Sequence, residues 1–209
     1  MPPLPPGSPS SPATKQAFLG WHEHGYLPHR DEPGLTQFLT YRLADSLPAE
    51  LRSEWEALLR IESNRQRALE LEAYLGRGRG SCYLRQPAIA KIVEDSLRFR
   101  HEIDYDLLAW VVMPNHVHLL VRVRHVPLAR LVGSWKGYSA TAANKLLQRQ
   151  GPFWEQSYWD TYMRDTAHET QTRRYIENNP VKAKLVSTPA EWPWSSARFR
   201  DASGRLCLP

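Results

Sequence analysis

The chain has 209 residues, of which 42% are hydrophobic, and this suits one domain with a real core and some extensions. Its formal net charge of +5 at pH 7 makes the surface basic and is compatible with a polyanionic partner. Cys82 and Cys207 lie far apart without a partner pattern, which argues against a disulfide framework and a cysteine zinc site. The sequence has neither a bilayer-spanning apolar stretch nor a signal-peptide pattern, so we expect a cytoplasmic protein.

The N-terminal third combines a tail, one strand and a long helical extension. Residues 1–16 are rich in Pro and Ser and are predicted to be a disordered tail. Residues 20–34 are too irregular for a helix and are expected to lie over the domain. The aromatic and β-branched run TQFLTYRL at 36–43 predicts the first strand. A leucine-rich apolar stripe predicts a helix over 49–76, within an elaboration of the domain at 49–80.

The rest of the chain alternates between helical and strand patterns before an irregular tail at 181–209. Helical spacing of apolar residues predicts helices, and runs of β-branched and aromatic residues predict strands. Pro180 is expected to end the last helix near residue 178. The predicted order is helix 87–101, strand 105–113, turn 114–115, strand 116–123, helix 127–150, strand 157–164 and helix 167–178.

This order predicts an α+β fold of the ferredoxin-like, split βαβ type, with one helix added at the end. A tight turn at Pro114 and Asn115 would make residues 105–123 an antiparallel hairpin in the centre of the sheet. Antiparallel sheets of this kind carry helices on one face and can leave the other face open. We expect the histidine side of the hairpin to lie on that open face.

Two histidines in the second strand of this hairpin are the first candidates for chemistry. His116 and His118 point to the same side of a strand because strand side chains alternate, and Arg122 follows on that side. Such a side could hold a metal ion next to an anion. The alternative is that two polar histidines simply face solvent. The opposite side of the strand is apolar throughout: Val117, Leu119, Val121 and Val123.

The last predicted helix carries a second candidate pair. Tyr175 and Asn179 are four residues apart and therefore project from the same helix face. A tyrosine nucleophile needs positive charge nearby, because the ordinary pKa of a phenol is about 10. The Asn179 amide oxygen could complete a histidine site for Mg²⁺ or Mn²⁺. The alternatives are a tyrosine that packs on the sheet and an asparagine that caps the helix before Pro180.

The chain carries three motifs: WVVMPNHVHLLV at 110–121, FWEQSYWD at 153–160 and RYIENNPVKA at 174–183. Together and in this order, they resemble the motifs of the single-tyrosine HUH transposases, and the nearest branch is the REP-associated tyrosine transposases. The resemblance extends over residues 20–198, with further similar segments at 25–29 and 192–196. It implies a transposase domain at 17–180 and a tail at 181–209 that could contact DNA.

The resemblance implies an enzyme that nicks single-stranded DNA near palindromic hairpins and rejoins strands. Tyr175 would attack a phosphodiester and form a 5′-phosphotyrosine link. His116 and His118 would hold a divalent metal, Mg²⁺ or Mn²⁺, with Asn179 as third ligand. Glu177 or Asn178 could serve in place of Asn179.

The resemblance also implies the partners of the chain. We expect single-stranded DNA with palindromic hairpins, no membrane, no small-molecule cofactor, and a monomer or homodimer that associates with the nucleoid when bound to DNA. Two other functions remain open: a domesticated protein that binds hairpins without cutting, and a metal hydrolase that uses water. The candidate DNA contacts are Lys136, Arg122, Arg164, Arg174 and Lys182.

Overall fold

The computed structural model describes residues 18–24, 27–46 and 78–209. The predicted tail at 1–16 and the predicted helix at 49–76 lie outside the described residues. So do Gly25 and Tyr26, which belong to one of the segments that carry the family resemblance.

The segment at 20–34, which was expected to be irregular, contains a small antiparallel sheet. Strand β1 (Gly20–His24) pairs with strand β2 (Leu27–Asp31), with Gly20 opposite Asp31 and His24 opposite Leu27. The sequence lacks the alternation of apolar and polar residues that marks a half-buried strand, so the pattern gave no strand signal. Pro28 is compatible with this sheet because both strands of a two-stranded sheet are edges.

The main sheet has four antiparallel strands in the order β4-β5-β3-β6. Strand β3 spans Thr36–Arg42, β4 spans Tyr105–Val112, β5 spans His116–Val123 and β6 spans Trp159–Tyr162. All four predicted strands are confirmed, and each strand end lies within about two residues of its predicted position. The histidine strand β5 is central, as predicted, and β4 is an edge of this sheet.

Two helices cover the apolar face of this sheet. Helix α1 spans Pro87–Arg98 and helix α2 spans Leu128–Leu146, both within their predicted ranges. Their buried positions meet the inward side of β5, where Val117 and Leu119 are fully buried. Asp31 connects the small sheet to this layer, because its carboxylate accepts a hydrogen bond from the backbone N–H of Leu128 at the start of α2.

The third helix, α3 (Thr166–Lys182), corrects two expectations. It runs through Pro180 instead of ending before it. A proline near a helix end removes one hydrogen bond and keeps a helical φ, and here the N–H of Ala183 still bonds the carbonyl of Asn179. The helix also packs on the histidine face of the sheet, where Ile176 joins an apolar cluster with Phe38 and Leu120. The histidine face is therefore covered, and the expectation of an open face is wrong.

The segment after α3 was expected to be irregular, and it folds against the edge strand β4. It contains two short 3-10 helices, Pro189–Glu191 and Ser196–Phe199. The N–H of Val112 donates to the carbonyl of Trp194 over 2.8 Å, and Ser195 forms an isolated bridge with Val111. No helix in the described part of the chain is long and apolar enough to span a membrane.

Ser196 holds this segment, the sheet and helix α3 together. Its buried hydroxyl accepts a hydrogen bond from the backbone N–H of Trp110 at 3.1 Å and donates one to Glu177 at 2.7 Å. These bonds give the C-terminal segment a fixed position beside β4.

We predict that Ser196→Ala lowers the free energy of unfolding by about 1–3 kcal/mol, because it leaves buried polar groups of Trp110 and Glu177 without this partner. Urea unfolding followed by tryptophan fluorescence measures the change. Ser134→Ala, at an exposed position of α2, is the control and should stay within about 0.5 kcal/mol of the parent protein. Equal effects of the two substitutions would contradict the prediction.

Candidate metal and nucleophile site

The pairing of β3 with β5 places two imidazoles side by side under helix α3. Thr40 is the sheet partner of His118, and Arg42 is the partner of His116. The two histidines are 1% and 2% exposed. Their Nε2 atoms lie 3.0 Å apart and face each other. The sequence prediction that both rings point to one side of the strand is therefore confirmed in its geometry.

The other ring nitrogen of each histidine also has a partner. Nδ1 of His116 lies 2.7 Å from Oδ1 of Asn115, and the Asn115 amide nitrogen donates to the carbonyl of Arg79. Because the Asn115 oxygen can only accept, this pairing puts a proton on Nδ1 of His116 and leaves a lone pair on its Nε2. Nδ1 of His118 lies 2.7 Å from the Thr40 hydroxyl, which can donate or accept.

This arrangement fits a divalent cation. Two ligands at right angles around an ion, with bonds of about 2.1 Å, stand about 3.0 Å apart, and the two Nε2 atoms are separated by 3.0 Å. When both Nε2 atoms present lone pairs, the Thr40 hydroxyl accepts from Nδ1 of His118. Metal-binding histidines in general have such an outer partner, which fixes the tautomer. Among the described residues, no group of three His, Cys, Asp or Glu could hold a metal, so a further ligand would be an amide, water or substrate.

Burial keeps both imidazoles neutral, which is the form that binds metals. It lowers the pKa of His116 to about 3. Burial also lowers the pKa of His118 well below its ordinary value, helped by the neighbouring His116 and by the charge of Lys182.

Helix α3 brings Tyr175 over this pair. The centroids of the Tyr175 and His118 rings are 5.8 Å apart, and Phe38 meets Tyr175 edge-on at 5.8 Å. The ammonium of Lys182 lies 4.5 Å from the centroid of the Tyr175 ring. Asn179, one helical turn after Tyr175 on the same face, is 4% exposed. The structure therefore brings the tyrosine next to the histidine pair, and the candidate amide ligand Asn179 lies one turn further along the same helix face.

Glu177 and Asn178, the two alternative candidates for the third ligand, make their hydrogen bonds to other parts of the protein. The Glu177 carboxylate accepts hydrogen bonds from the Ser196 hydroxyl at 2.7 Å and from Nε of Arg200 at 2.8 Å, on the side of the C-terminal segment. Asn178 is exposed, and its amide donates to the carbonyl of Arg174 one turn earlier. The helix geometry therefore favours Asn179 among the three.

The five candidate DNA contacts fall at different distances from the histidines. Lys182 is part of the site, and exposed Arg174 directly precedes Tyr175. Arg122 is on the histidine face but four residues beyond His118, where it pairs with Glu169 at the start of α3. Arg164 is exposed just after β6.

Lys136 lies in helix α2, on the other side of the sheet. Its ammonium donates to the carbonyls of Glu155 and Gln156 at 2.6 and 2.7 Å, and burial lowers its pKa to about 8. The Glu155 carboxylate in turn pairs with Arg42, the sheet partner of His116. Lys136 therefore supports the end of the sheet where His116 lies.

Sequence reasoning missed Thr40 and Asn115 as partners of the histidines. Asn115 was treated as a turn residue only, and Thr40 as a generic strand residue. The signal for Thr40 is its position in β3 directly opposite His118, which requires the register of two strands that are far apart in sequence.

Comparisons with known proteins find similar sequences and a similar fold. Residues 85–179 match the family model described as Transposase IS200 like. A provisionally assigned REP-associated tyrosine transposase of Haemophilus influenzae is 25% identical over 113 residues, which cover 49% of this chain and 64% of that relative. A solved REP-associated tyrosine transposase, bound to a REP hairpin, superposes with a TM-score of 0.55 at 17% identity and covers 90% of this chain and 88% of its own.

These findings confirm the resemblance predicted from the motifs: residues 85–179 match the IS200-like transposase model, and the chain is similar in sequence to a REP-associated tyrosine transposase. The solved structure and this chain share an α+β fold, which in this chain has a four-stranded antiparallel sheet. The chain spans less than two thirds of the length of the curated relative, namely 64%.

The buried histidine pair should make the metal-free protein sensitive to mild acid. In EDTA, the free energy of unfolding should fall between pH 6.5 and pH 5, because the unfolded chain binds protons at both histidines while the folded chain does not. Each histidine contributes up to about 1.4 kcal/mol per pH unit. This stability is complete above about pH 6.5 and is lost as the pH falls toward the pKa of about 3 for His116.

The double variant His116→Gln/His118→Gln should lose this part of the pH dependence. Urea unfolding of both proteins at pH 6.5 and pH 5 provides the measurement. Identical slopes in the two proteins would show that the pair is not held neutral.

Proposed function

We propose that this protein is a metal-dependent endonuclease and strand transferase for single-stranded DNA, acting at palindromic hairpins through a 5′-phosphotyrosine intermediate. The observation that carries the proposal is the placement of Tyr175 beside two buried imidazoles whose Nε2 atoms converge at 3.0 Å. Pure binding of DNA does not require this combination. The relationship to REP-associated tyrosine transposases supports the same reaction class.

His116, His118 and Asn179 would hold Mg²⁺ or Mn²⁺, with remaining positions for water and a phosphate oxygen. A bound divalent ion would act as a Lewis acid that polarises the scissile phosphate and orients it. The chain contributes the preorganisation: Asn115 and Thr40 fix the two rings through their Nδ1 atoms, and α3 shields the imidazoles from bulk solvent.

Tyr175 would be the nucleophile. Its phenol oxygen forms a bond to phosphorus while the bond from phosphorus to the 3′-oxygen breaks. The phenol proton passes to water, and the departing 3′-oxygen takes up a proton to become a hydroxyl. The ammonium of Lys182, 4.5 Å from the ring centroid, favours the developing phenolate electrostatically. The reverse attack by a DNA 3′-hydroxyl rejoins the strand without an external energy source.

The proposed partner is single-stranded DNA with a hairpin, acted on in the cytoplasm at the nucleoid. The solved relative is bound to a REP hairpin, and the net charge of this chain is +5. Exposed Arg174 and Lys182 flank Tyr175 and would approach the phosphates. All proposed site residues come from one chain, so a monomer is sufficient for the chemistry and a homodimer is not required by it.

Tyr175→Phe tests the nucleophile. The variant should bind hairpin DNA as the parent does and should form no covalent adduct, because it lacks only the attacking oxygen. Fluorescent single-stranded hairpins with flanks, taken from repeats near the gene, are incubated with Mn²⁺ and analysed on denaturing gels before and after protease. Tyr138→Phe, on the exposed side of α2, is the matched control and should retain capture.

Each other outcome identifies a different function. Nicked DNA without attached protein would indicate that water is the nucleophile. Hairpin binding that is unaffected by EDTA, with no cutting of any strand, would indicate a binding protein. Either result would overturn the tyrosine mechanism.

Thr40→Val tests the metal site without changing a ligand. Valine matches the shape of threonine but cannot accept from Nδ1 of His118, so Mn²⁺ affinity should fall by about 10- to 100-fold. Thr40→Ser keeps the hydroxyl and should retain most of the affinity. Calorimetric titration of each protein with Mn²⁺ gives the result, and unchanged affinity in Thr40→Val would argue against binding at these histidines.

A further inference from the structure

Trp159 occupies a position that the proposed chemistry does not use. In the sheet, Val111, His118, Thr40 and Trp159 are successive partners across four strands. Directly paired residues place their side chains on the same face of a sheet. With strands about 4.8 Å apart, Trp159 stands about 10 Å from His118 on the histidine face.

The indole of Trp159 is linked to the nucleophile by one aromatic ring. Phe38 meets Trp159 edge-on, with ring centroids 5.4 Å apart, and it meets Tyr175 edge-on at 5.8 Å. Phe38 itself is nearly buried, whereas Trp159 is half-buried and Tyr175 is partly buried. Trp159 and Tyr175 are therefore two partly buried aromatic rings that both contact Phe38.

The indole N–H of Trp159 differs from those of four other tryptophans. Four other tryptophans donate this hydrogen within the protein, at 2.9–3.0 Å: Trp110 to Glu94, Trp135 to Tyr105, Trp154 to Ser139 and Trp192 to Val112. For Trp159, the described residues supply no acceptor. A half-buried tryptophan with an unused donor suits a ligand that has a flat face and polar edges.

We propose that Trp159 is a stacking platform for a nucleobase of the single strand, next to the phosphate that Tyr175 attacks. This inference rests on the proposed function and adds a subsite to it. A nucleobase fits because aromatic side chains bind the bases of single strands by stacking, while cations follow the phosphates. Exposed Arg164 follows the end of β6, and Lys182 lies beside Tyr175, so cations are present after the strand that carries Trp159 and at the nucleophile.

A double-mutant cycle tests the platform in the non-cleaving Tyr175→Phe protein. Hairpin oligonucleotides carry an abasic site at each flank nucleotide in turn, and dissociation constants are measured by fluorescence anisotropy with Mn²⁺. At one position the abasic site should weaken binding by about 5- to 150-fold, the range expected for loss of one stacked base. In the Trp159→Leu variant, the same abasic site should cause no further loss.

Two further variants separate stacking from packing. Trp159→Phe keeps an aromatic face and should retain a measurable abasic effect at that position, whereas a purely structural role would make Leu and Phe equivalent. Tyr138→Ala removes an exposed aromatic ring on the other side of the sheet and should leave the abasic profile unchanged. Thermal unfolding of each variant checks that it is folded.

The outcomes distinguish the subsite from the reaction. Covalent capture by Tyr175 together with identical abasic profiles in the parent and Trp159→Leu would overturn the platform and leave the enzyme assignment standing. Absence of both capture and hairpin binding would overturn the enzyme assignment and the platform together.

Discussion

The structure of the site depends on burying two neutral imidazoles between a sheet and a helix. Removing a histidine from water disfavours its charged form, and the pKa of His116 accordingly falls to about 3. The folded chain therefore holds two neutral imidazoles side by side at ordinary pH, which is the charge state that metal binding requires. Burial requires every other polar atom of the pair to be satisfied, and Asn115 and Thr40 meet that requirement.

Covering the histidines also requires helix α3 to be held in place, and the C-terminal segment does this. Glu177 points away from the histidines and binds Ser196 and Arg200, while Arg200 also donates to the carbonyl of Leu108 in β4. Tyr175 thus projects from a helix whose opposite side is fastened to the edge of the sheet. Catalytic side chains on rigid, supported elements keep their geometry better than those on loops.

Much of the fold could be predicted from the sequence because the strands and helices of the main layer have strong local patterns. The alternation in 116–123 and the run at 105–112 identify strands regardless of what they pair with. The course of α3 past Pro180 could not be predicted, since it depends on how the final turn packs. The covered histidine face was missed for the same reason: α3 has no strong apolar stripe, so its position comes from contacts such as those of Ile176 and Glu177.

In the candidate site, some residues can be found from spacing along one strand or helix, whereas others depend on pairing between distant strands. The pair His116 and His118 is visible in sequence because strand alternation is local, and Tyr175 and Asn179 are visible because helix spacing is local. The row that joins His118 to Thr40 and Trp159 is set by strand pairing between distant segments. A slip of one residue in β3 would turn Thr40 away from His118 and Phe38 away from Tyr175. Strand register therefore determines both the hydrogen-bond partner of His118 and the position of the proposed base platform, and motifs alone do not reveal strand register.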